Sequence, residues 1–210
     1  MRFALWLIVA MLAAGICWRF PLFHVVTMKS ATAEKAAAAF NATQFAESFW
    51  ANRLVPALAK CSPAEVLIPL IQTDSAAAKK KYSRGSGGGD SYFYFVMGTG
   101  KIIGVSDDAI SIAVTAGSTN VEVSLQAGLI FGDALRDGTG LLNPSDYPNS
   151  QDYNDISAAL NHIVETGVQP KLHERARAGA NISFAGCAQV DDESTDLKPL
   201  KVIPIQATIE

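Results

Sequence analysis

No acidic side chain occurs before Glu34, and the only charged side chains ahead of it are Arg2, Arg19 and Lys29. Charge is scarce along the whole chain, at 18% of 210 residues, where a soluble domain carries about 25%. Together with 49% apolar residues, this excludes intrinsic disorder as the main state of the chain. A basic excess is also lacking. Lys and Arg number 17 against 20 Asp and Glu, a net charge of −3, which argues against nucleic acid as a partner. Gly (16) and Pro (9) are near average, so collagen-like and linker compositions are excluded.

Chemistry is equally thin. The three cysteines, Cys17, Cys61 and Cys187, form no CxxC pair, and no His stands at ligand spacing from any of them. His24, His162 and His173 are isolated. There is no HExxH and no nucleophile elbow. Gly98 to Gly104 spells GxGxxxG, one residue too long for a dinucleotide fingerprint, and a hairpin turn explains it better. Asp107-Asp108 and Asp191-Asp192 fall in expected turns. The sequence therefore predicts no metal, no cofactor and no catalytic constellation.

What is present begins at the N-terminus. Phe3 to Trp18 reads FALWLIVAMLAAGICW, preceded by Arg2, the pattern of a charged n-region and apolar h-region. Sixteen helical residues span ~24 Å, slightly less than a ~30 Å hydrocarbon core. Cleavage wants small residues at −3 and −1. Leu12-Ala13-Ala14 supplies one, and Ala31-Thr32-Ala33 lies far beyond the apolar run. Lipidation would use Cys17, but the β-branched Ile16 precedes it. The reading is an uncleaved inner-membrane anchor through residues 3–18, with lipidation at Cys17 or cleavage as alternatives. Residues 1–28 are thus signal or anchor, and 29–210 a single exported domain. In an oxidising compartment Cys61 and Cys187 could pair; the alternative is two unpaired core residues.

Residues 31–82 read as helical. Asn41 can cap one start, Ser62-Pro63-Ala64-Glu65 resembles another, and Asp74 can cap a third. After Gly85 to Gly89 the runs turn β-like. Tyr92–Met97, a turn at Gly98-Thr99-Gly100, Lys101–Val105, Ile110–Val114, Val121–Leu125 and Gly128–Leu135 follow at short intervals. Such spacing indicates an antiparallel meander, curled or closed into a barrel over 91–210. A helix over 151–167 interrupts it. Two strands close the chain, Asn181–Val190 and Val202–Ile209, the latter with Ile203, Ile205, Ala207 and Ile209 on one face.

The polar residues that stand out cluster around Arg136. Asp133 and Asp137 flank it, and Asn149, Gln151, Asn154 and Asn161 follow. An Arg, carboxylates and amides are the groups that hold sugars by multiple hydrogen bonds. The alternative is a structural network in which Arg136 ties the strand end to the loop and the Asn residues serve as caps.

The chain resembles the domain of unknown function 2291 family of bacterial predicted periplasmic lipoproteins. The resemblance rests on Phe20-Pro21-Leu22-Phe23-His24-Val25-Val26, Phe49-Trp50, Leu54-Val55-Pro56, the strand entering Gly98-Thr99-Gly100-Lys101-Ile102, Gly132-Asp133-Ala134-Leu135-Arg136-Asp137 and Ala158-Ala159-Leu160-Asn161. Ile16-Cys17 departs from the lipid site. The resemblance implies export, a core like the oligonucleotide/oligosaccharide-binding barrel, and company with sugar-uptake transporters of the ATP-binding-cassette type; no reaction or ligand comes with it. The expected architecture is α+β: an N-terminal membrane-anchor helix, a helical segment, then an antiparallel OB-like β-barrel with one further helix. The expected function is that of a non-catalytic membrane-anchored periplasmic accessory or binding protein. Its partners would be a transporter, a solute-binding protein or a small sugar. The rivals are a periplasmic hydrolase using Asp133 or Asp137 as base, and a purely structural envelope protein.

Overall fold

The computed structural model describes residues 40–85, 90–147 and 149–210. The expected anchor, Cys17 and the start of the helical segment lie outside these residues. No helix among the described residues is long and apolar enough to cross a membrane.

Asn41 caps α1 (Ala42–Phe49), its Oδ1 accepting from the Gln44 amide at 3.0 Å. The helix runs on through a π-turn, Trp50–Leu54, absorbs Pro56 near the start of its next turn, and ends in a 3-10 turn, Leu58–Lys60. The short strand β1 (Ser62–Pro63) then leads into α2 (Ala64–Thr73). Ser62 is therefore not the cap the sequence suggested. Glu65 turns instead to the Thr99 amide, at 3.1 Å. Asp74 does cap α3 (Ser75–Tyr82), accepting from the Ala77 amide at 2.9 Å. The short β2 (Ser83–Gly85) follows.

The sheet is built on β3 (Tyr92–Val105), 14 residues long. The expected turn at Gly98-Thr99-Gly100 is absent; these residues are strand. Neither glycine needs an unusual backbone. A Cβ on Gly98 would lie 2.5 Å from that of Ala64, so the glycine is there to let α2 lie against the strand. From β3 the order runs to β4 (Ala109–Ala113), β5 (Val123–Gln126), β7 (Leu200–Ile209) and β6 (Asn181–Val190). β6 pairs back onto Tyr92–Lys101 of β3, which closes a five-stranded barrel. Within the barrel all neighbours are antiparallel except β5 and β7. β1 and β2 lie along the outer edge of β3.

The Tyr92-Phe93-Tyr94-Phe95-Val96 run is apolar throughout because β3 is buried on both faces. Tyr92, Tyr94 and Val96 join the barrel core with Ile102, Ile110, Ile112, Leu125 and Val202, together with Leu67, Ile68 and Ile71 of α2. Phe93 and Phe95 face outward into a second core, together with Phe49, Leu54, Ile156 and Leu160. That core joins the barrel wall to α1 and α5 (Ser150–Ile163). The helix expected over 151–167 is longer than its reading. It passes through a π-turn, Val164–Val168, into α6 (Gln169–Arg175). Gly128–Leu135, expected as strand, is an extended loop entering a single turn of helix, α4 (Ala134–Asp137). The acidic loop after β6 contains one further turn, α7 (Glu193–Asp196).

Both thiols are free. Cys187 lies on β6, and Cys61 enters β1 on the opposite edge of β3, so a strand separates them. Two strand spacings amount to ~9.6 Å, beyond the ~7 Å Cα limit for a disulfide. The pairing considered from sequence therefore gives way to the alternative of two unpaired core residues. Burial pushes the Cys61 thiol up to about 12, and raises that of Cys187 as well.

The β4–β5 connection hangs on one buried carboxylate. Glu122 Oε2 accepts from the amides of Val114 at 2.7 Å and Thr115 at 2.8 Å. Burial alone would raise its pKa. The Thr115 amide and hydroxyl, the Val114 amide and the Gln72 side chain more than offset this and hold it below the ordinary range. A depressed folded pKa adds stability above the unfolded value, and that stability is lost as pH falls through the folded one. Glu122→Gln should lower stability at pH 7 by about 1–2 kcal/mol. Urea unfolding of both proteins from pH 7 downward should show the difference constant to about pH 5 and shrinking below it. A gap independent of pH would mean that the carboxylate charge is not what the amides hold.

Candidate functional site

The residues that bring Arg136 into the interior are local. α4 is a single turn, wedged between β6, β7 and α5, and Arg136 lies on its buried side at 5% exposure. Its guanidinium makes a two-pronged contact with Asp137: Nε to Oδ1 and Nη2 to Oδ2, both 2.8 Å. Nη2 also lies 3.2 Å from Asp133 Oδ2. Nη1 donates to the Tyr153 carbonyl at 3.1 Å and to Asn154 Oδ1 at 3.2 Å. The cation rests on the Tyr153 ring, 3.8 Å from its centroid. The Tyr153 hydroxyl donates to Asp137 Oδ1 at 2.7 Å, and Ser157 donates to Asp133 Oδ1 at 2.8 Å. Burial and the bond to Asp137 raise the Tyr153 pKa, so the phenol remains a donor. Desolvation alone would lower the Arg136 pKa. Asp137 and Asp133 reverse that, and the group stays cationic.

The structure thus brings together Asp133, Arg136, Asp137 and Asn154. Asn161 lies at the edge, donating to the Gly132 carbonyl at 3.1 Å, with its Oδ1 buried and without a partner. Asn149 and Gln151 do not join the group. Asn149 caps α5, accepting from the Asp152 amide at 2.8 Å, and Gln151 donates to Asp155 at 2.7 Å on the same helix. Both are exposed, and their side chains satisfy the start of the helix they belong to. The sequence reading missed Tyr153 and Ser157 as members. Their signal was available: Tyr153, Ser157 and Asn161 recur every fourth residue, a polar stripe along the face otherwise read as apolar.

All four carboxylate oxygens of Asp133 and Asp137 are engaged within the chain. No group of His, Cys, Asp and Glu among the described residues could hold a metal. An open cleft of about 980 Å³ lies elsewhere on the barrel, lined in part by Thr99, Lys101, Thr115, Ser118, Asn181 and Ser183. Its hydroxyls, amide and ammonium line an open surface, unlike the enclosed groups around Arg136.

A model of a family described as "Predicted periplasmic lipoprotein (DUF2291)" matches residues 7–208, nearly the whole chain. The chain belongs to this domain of unknown function 2291 family. Membership is consistent with a periplasmic, membrane-anchored location. No curated protein matches the chain. Among solved structures it is similar to an OB-fold protein from Thermotoga maritima, with TM-score 0.73 and 21% identity, covering 82% of this chain and 99% of the other. That likeness establishes the fold. The barrel of this family member is of the OB type, as the order β3-β4-β5-β7-β6 with its parallel β5–β7 pair requires.

Proposed function

We propose that this chain is a non-catalytic periplasmic accessory or binding protein, held at the inner membrane and acting beside a sugar-uptake system of the ATP-binding-cassette type. The observation that carries the non-catalytic part is the state of Asp133 and Asp137. A general base needs a free oxygen within reach of a substrate proton. Here each carboxylate oxygen is already committed to Arg136, Tyr153 or Ser157, which favours a structural role for the pair over that of a base. The barrel type supports a binding role, because OB barrels work by presenting a face and its bordering loops. The family description supports the compartment. The N-terminal apolar run 3–18, or a lipid on Cys17, supplies the attachment. The sugar-transport setting comes from the family resemblance. A small sugar, where one is bound, belongs in the open cleft beside Asn181 and Lys101 rather than at Arg136.

The test is recovery from native membranes. Full-length tagged protein, solubilised in mild detergent, should co-purify transporter or solute-binding subunits. Candidate monosaccharides should change that yield or raise the melting temperature. Recovery of neither kind of subunit, with no sugar effect on melting, overturns the reading. Hydrolysis of a glycoside or ester that disappears in Asp137→Asn would favour the hydrolase instead.

A further inference from the structure

After β5 the chain leaves the barrel as an extended segment, Ala127 to Asp133. Its backbone is pinned at short intervals by side chains. The His173 ring donates from Nε2 to the Ala127 carbonyl at 2.8 Å, and Gln169 to the Gly128 carbonyl at 2.7 Å. The Ile130 amide donates to Glu165 at 2.9 Å, and Asn161 holds the Gly132 carbonyl. The Asp133 amide donates to Gln189 at 3.3 Å. Ile130 points inward and is buried. Leu129 and Phe131 take no part in this network. They point outward at 76% and 79% exposure, the most exposed large apolar side chains among the described residues.

Two bulky apolar groups two residues apart stand on a backbone fixed from α5 and α6, so only their side-chain rotamers remain to be ordered by a partner. Anchors of that kind lose little freedom on binding. Nothing in the barrel's packing requires them there.

The surroundings narrow the occupant. The β3–β4 turn brings Asp107 and Asp108 alongside, the Asp108 carbonyl accepting from the amides of Ala127 and Gly128 at 2.8 and 3.2 Å. Glu165 and Asp133 belong to the segment's own network. Gln189, which holds Asp133, also donates to both oxygens of Asp191, at the start of the β6–β7 loop. In an OB barrel these two loops border the ligand face. Among the described residues, the basic groups in contact with these carboxylates are His162, 4.0 Å from Glu165, and Arg136, buried and chelated by Asp137, while Lys201 in the β6–β7 region is paired with Asp196 at 3.0 Å. An apolar pair within an acidic rim repels nucleic-acid phosphates and anionic lipid headgroups alike. It complements a protein surface with an apolar pocket edged by Lys and Arg.

We propose that Leu129 and Phe131 are the anchors of a docking surface for such a protein partner, with Asp107, Asp108, Glu165 and Asp191 as its charged rim. This rests on the accessory-protein reading and names the surface through which it acts.

A photoreactive amino acid placed at Phe131 of the full-length protein, in native envelopes, tests it. The same label at Val66 and at Lys101 samples other faces. The expected result is a protein adduct from position 131 whose cross-linked peptide carries apolar residues beside Lys or Arg. Its yield should fall at least tenfold in Asp107→Lys/Asp108→Lys and with added salt, while the melting temperature of Leu129→Ser/Phe131→Ser stays at the wild-type value. A lipid adduct, an adduct with a second copy of this chain, or a yield indifferent to charge reversal overturns the proposal. Protein adducts from Val66 or Lys101 but not from Phe131 would also remove this surface while leaving the accessory role standing. No protein adduct from any of the three would remove both.

Discussion

Arg136→Ala should cost about 3 kcal/mol of folding stability, near the lower end of the range for breaking a buried ion pair. The lower end applies because the carboxylates left behind can rehydrate. The side chain of Asp137 is 21% exposed and that of Asp133 44%, while that of Arg136 is only 6% exposed. Beyond the two ion pairs, the substitution removes the donors to the Tyr153 carbonyl and Asn154, and the cation over the Tyr153 ring. For a domain of this size the loss corresponds to a drop of roughly 6–12 °C in melting temperature. Arg136→Lys should recover part of it, since an ammonium keeps the charge but cannot bridge both oxygens of Asp137 in one plane. Thermal unfolding followed by circular dichroism measures both. A drop below about 3 °C for the alanine variant, equivalent to roughly 1 kcal/mol, would mean that the group is solvated and open to a ligand. If the membrane partners of the wild type are still recovered with the variant at low temperature, the cluster is a structural clasp.

The Arg136 segment shows how far a sequence carries. An Arg between two Asp, followed by a helix rich in amides, was legible as a polar cluster. Which of those amides reach it was not. Asn149 and Gln151 stand at the start of α5, ahead of Tyr153, and polar side chains at a helix start bond locally. Tyr153 and Ser157 were passed over because a helix face was read by hydrophobicity, and a phenol counts as apolar until its hydroxyl finds Asp137. The caps at Asn41 and Asp74 were visible because they depend on three neighbouring residues only. The glycines of β3 were misread for the converse reason. Gly98 answers to Ala64, 34 residues away in sequence, and nothing beside it in the chain distinguishes close approach from a turn. Gly128–Leu135 reads as strand because its short apolar run follows others of that kind; what is missing is a partner strand, replaced by side chains from α5, α6 and the π-turn between them.

Gly186→Ala should be as damaging as the loss of Arg136, or more so, and for a reason that lies in the closure of the barrel. In the β6–β7 ladder Ala185 faces Gln206 and Gly186 faces Pro204, so Ile205 is an extra residue on β7. One extra residue reverses which side of a strand the following side chains occupy. Ile203 and Ile205 consequently belong to the outer core with α1 and α5, whereas Ala207 and Ile209 pack against the barrel core. The sequence placed all four on one face. The bulge also pushes the Ile203 carbonyl against Gly186, where a Cβ would lie 2.1 Å from its oxygen and 2.8 Å from Val202 Cγ1. The first of these atoms is backbone and cannot swing away. Relief requires β7 to move out of register or away from β6, and either opens both cores at once. We expect a loss of about 3 kcal/mol or more, the upper part of the range for overpacking, measured by urea unfolding. Gly167→Ala provides the contrast. Gly167 has nothing within 4 Å of a built Cβ and sits in the helical turn between α5 and α6. There the same substitution should stabilise by roughly 0.5–1 kcal/mol, because alanine gives up less backbone freedom than glycine on folding. If both variants were destabilised alike, the loss would not be particular to the contact with Ile203. Opposite signs would place the cost at the contact between Gly186 and Ile203, the point on which the two-sided burial of β7 depends.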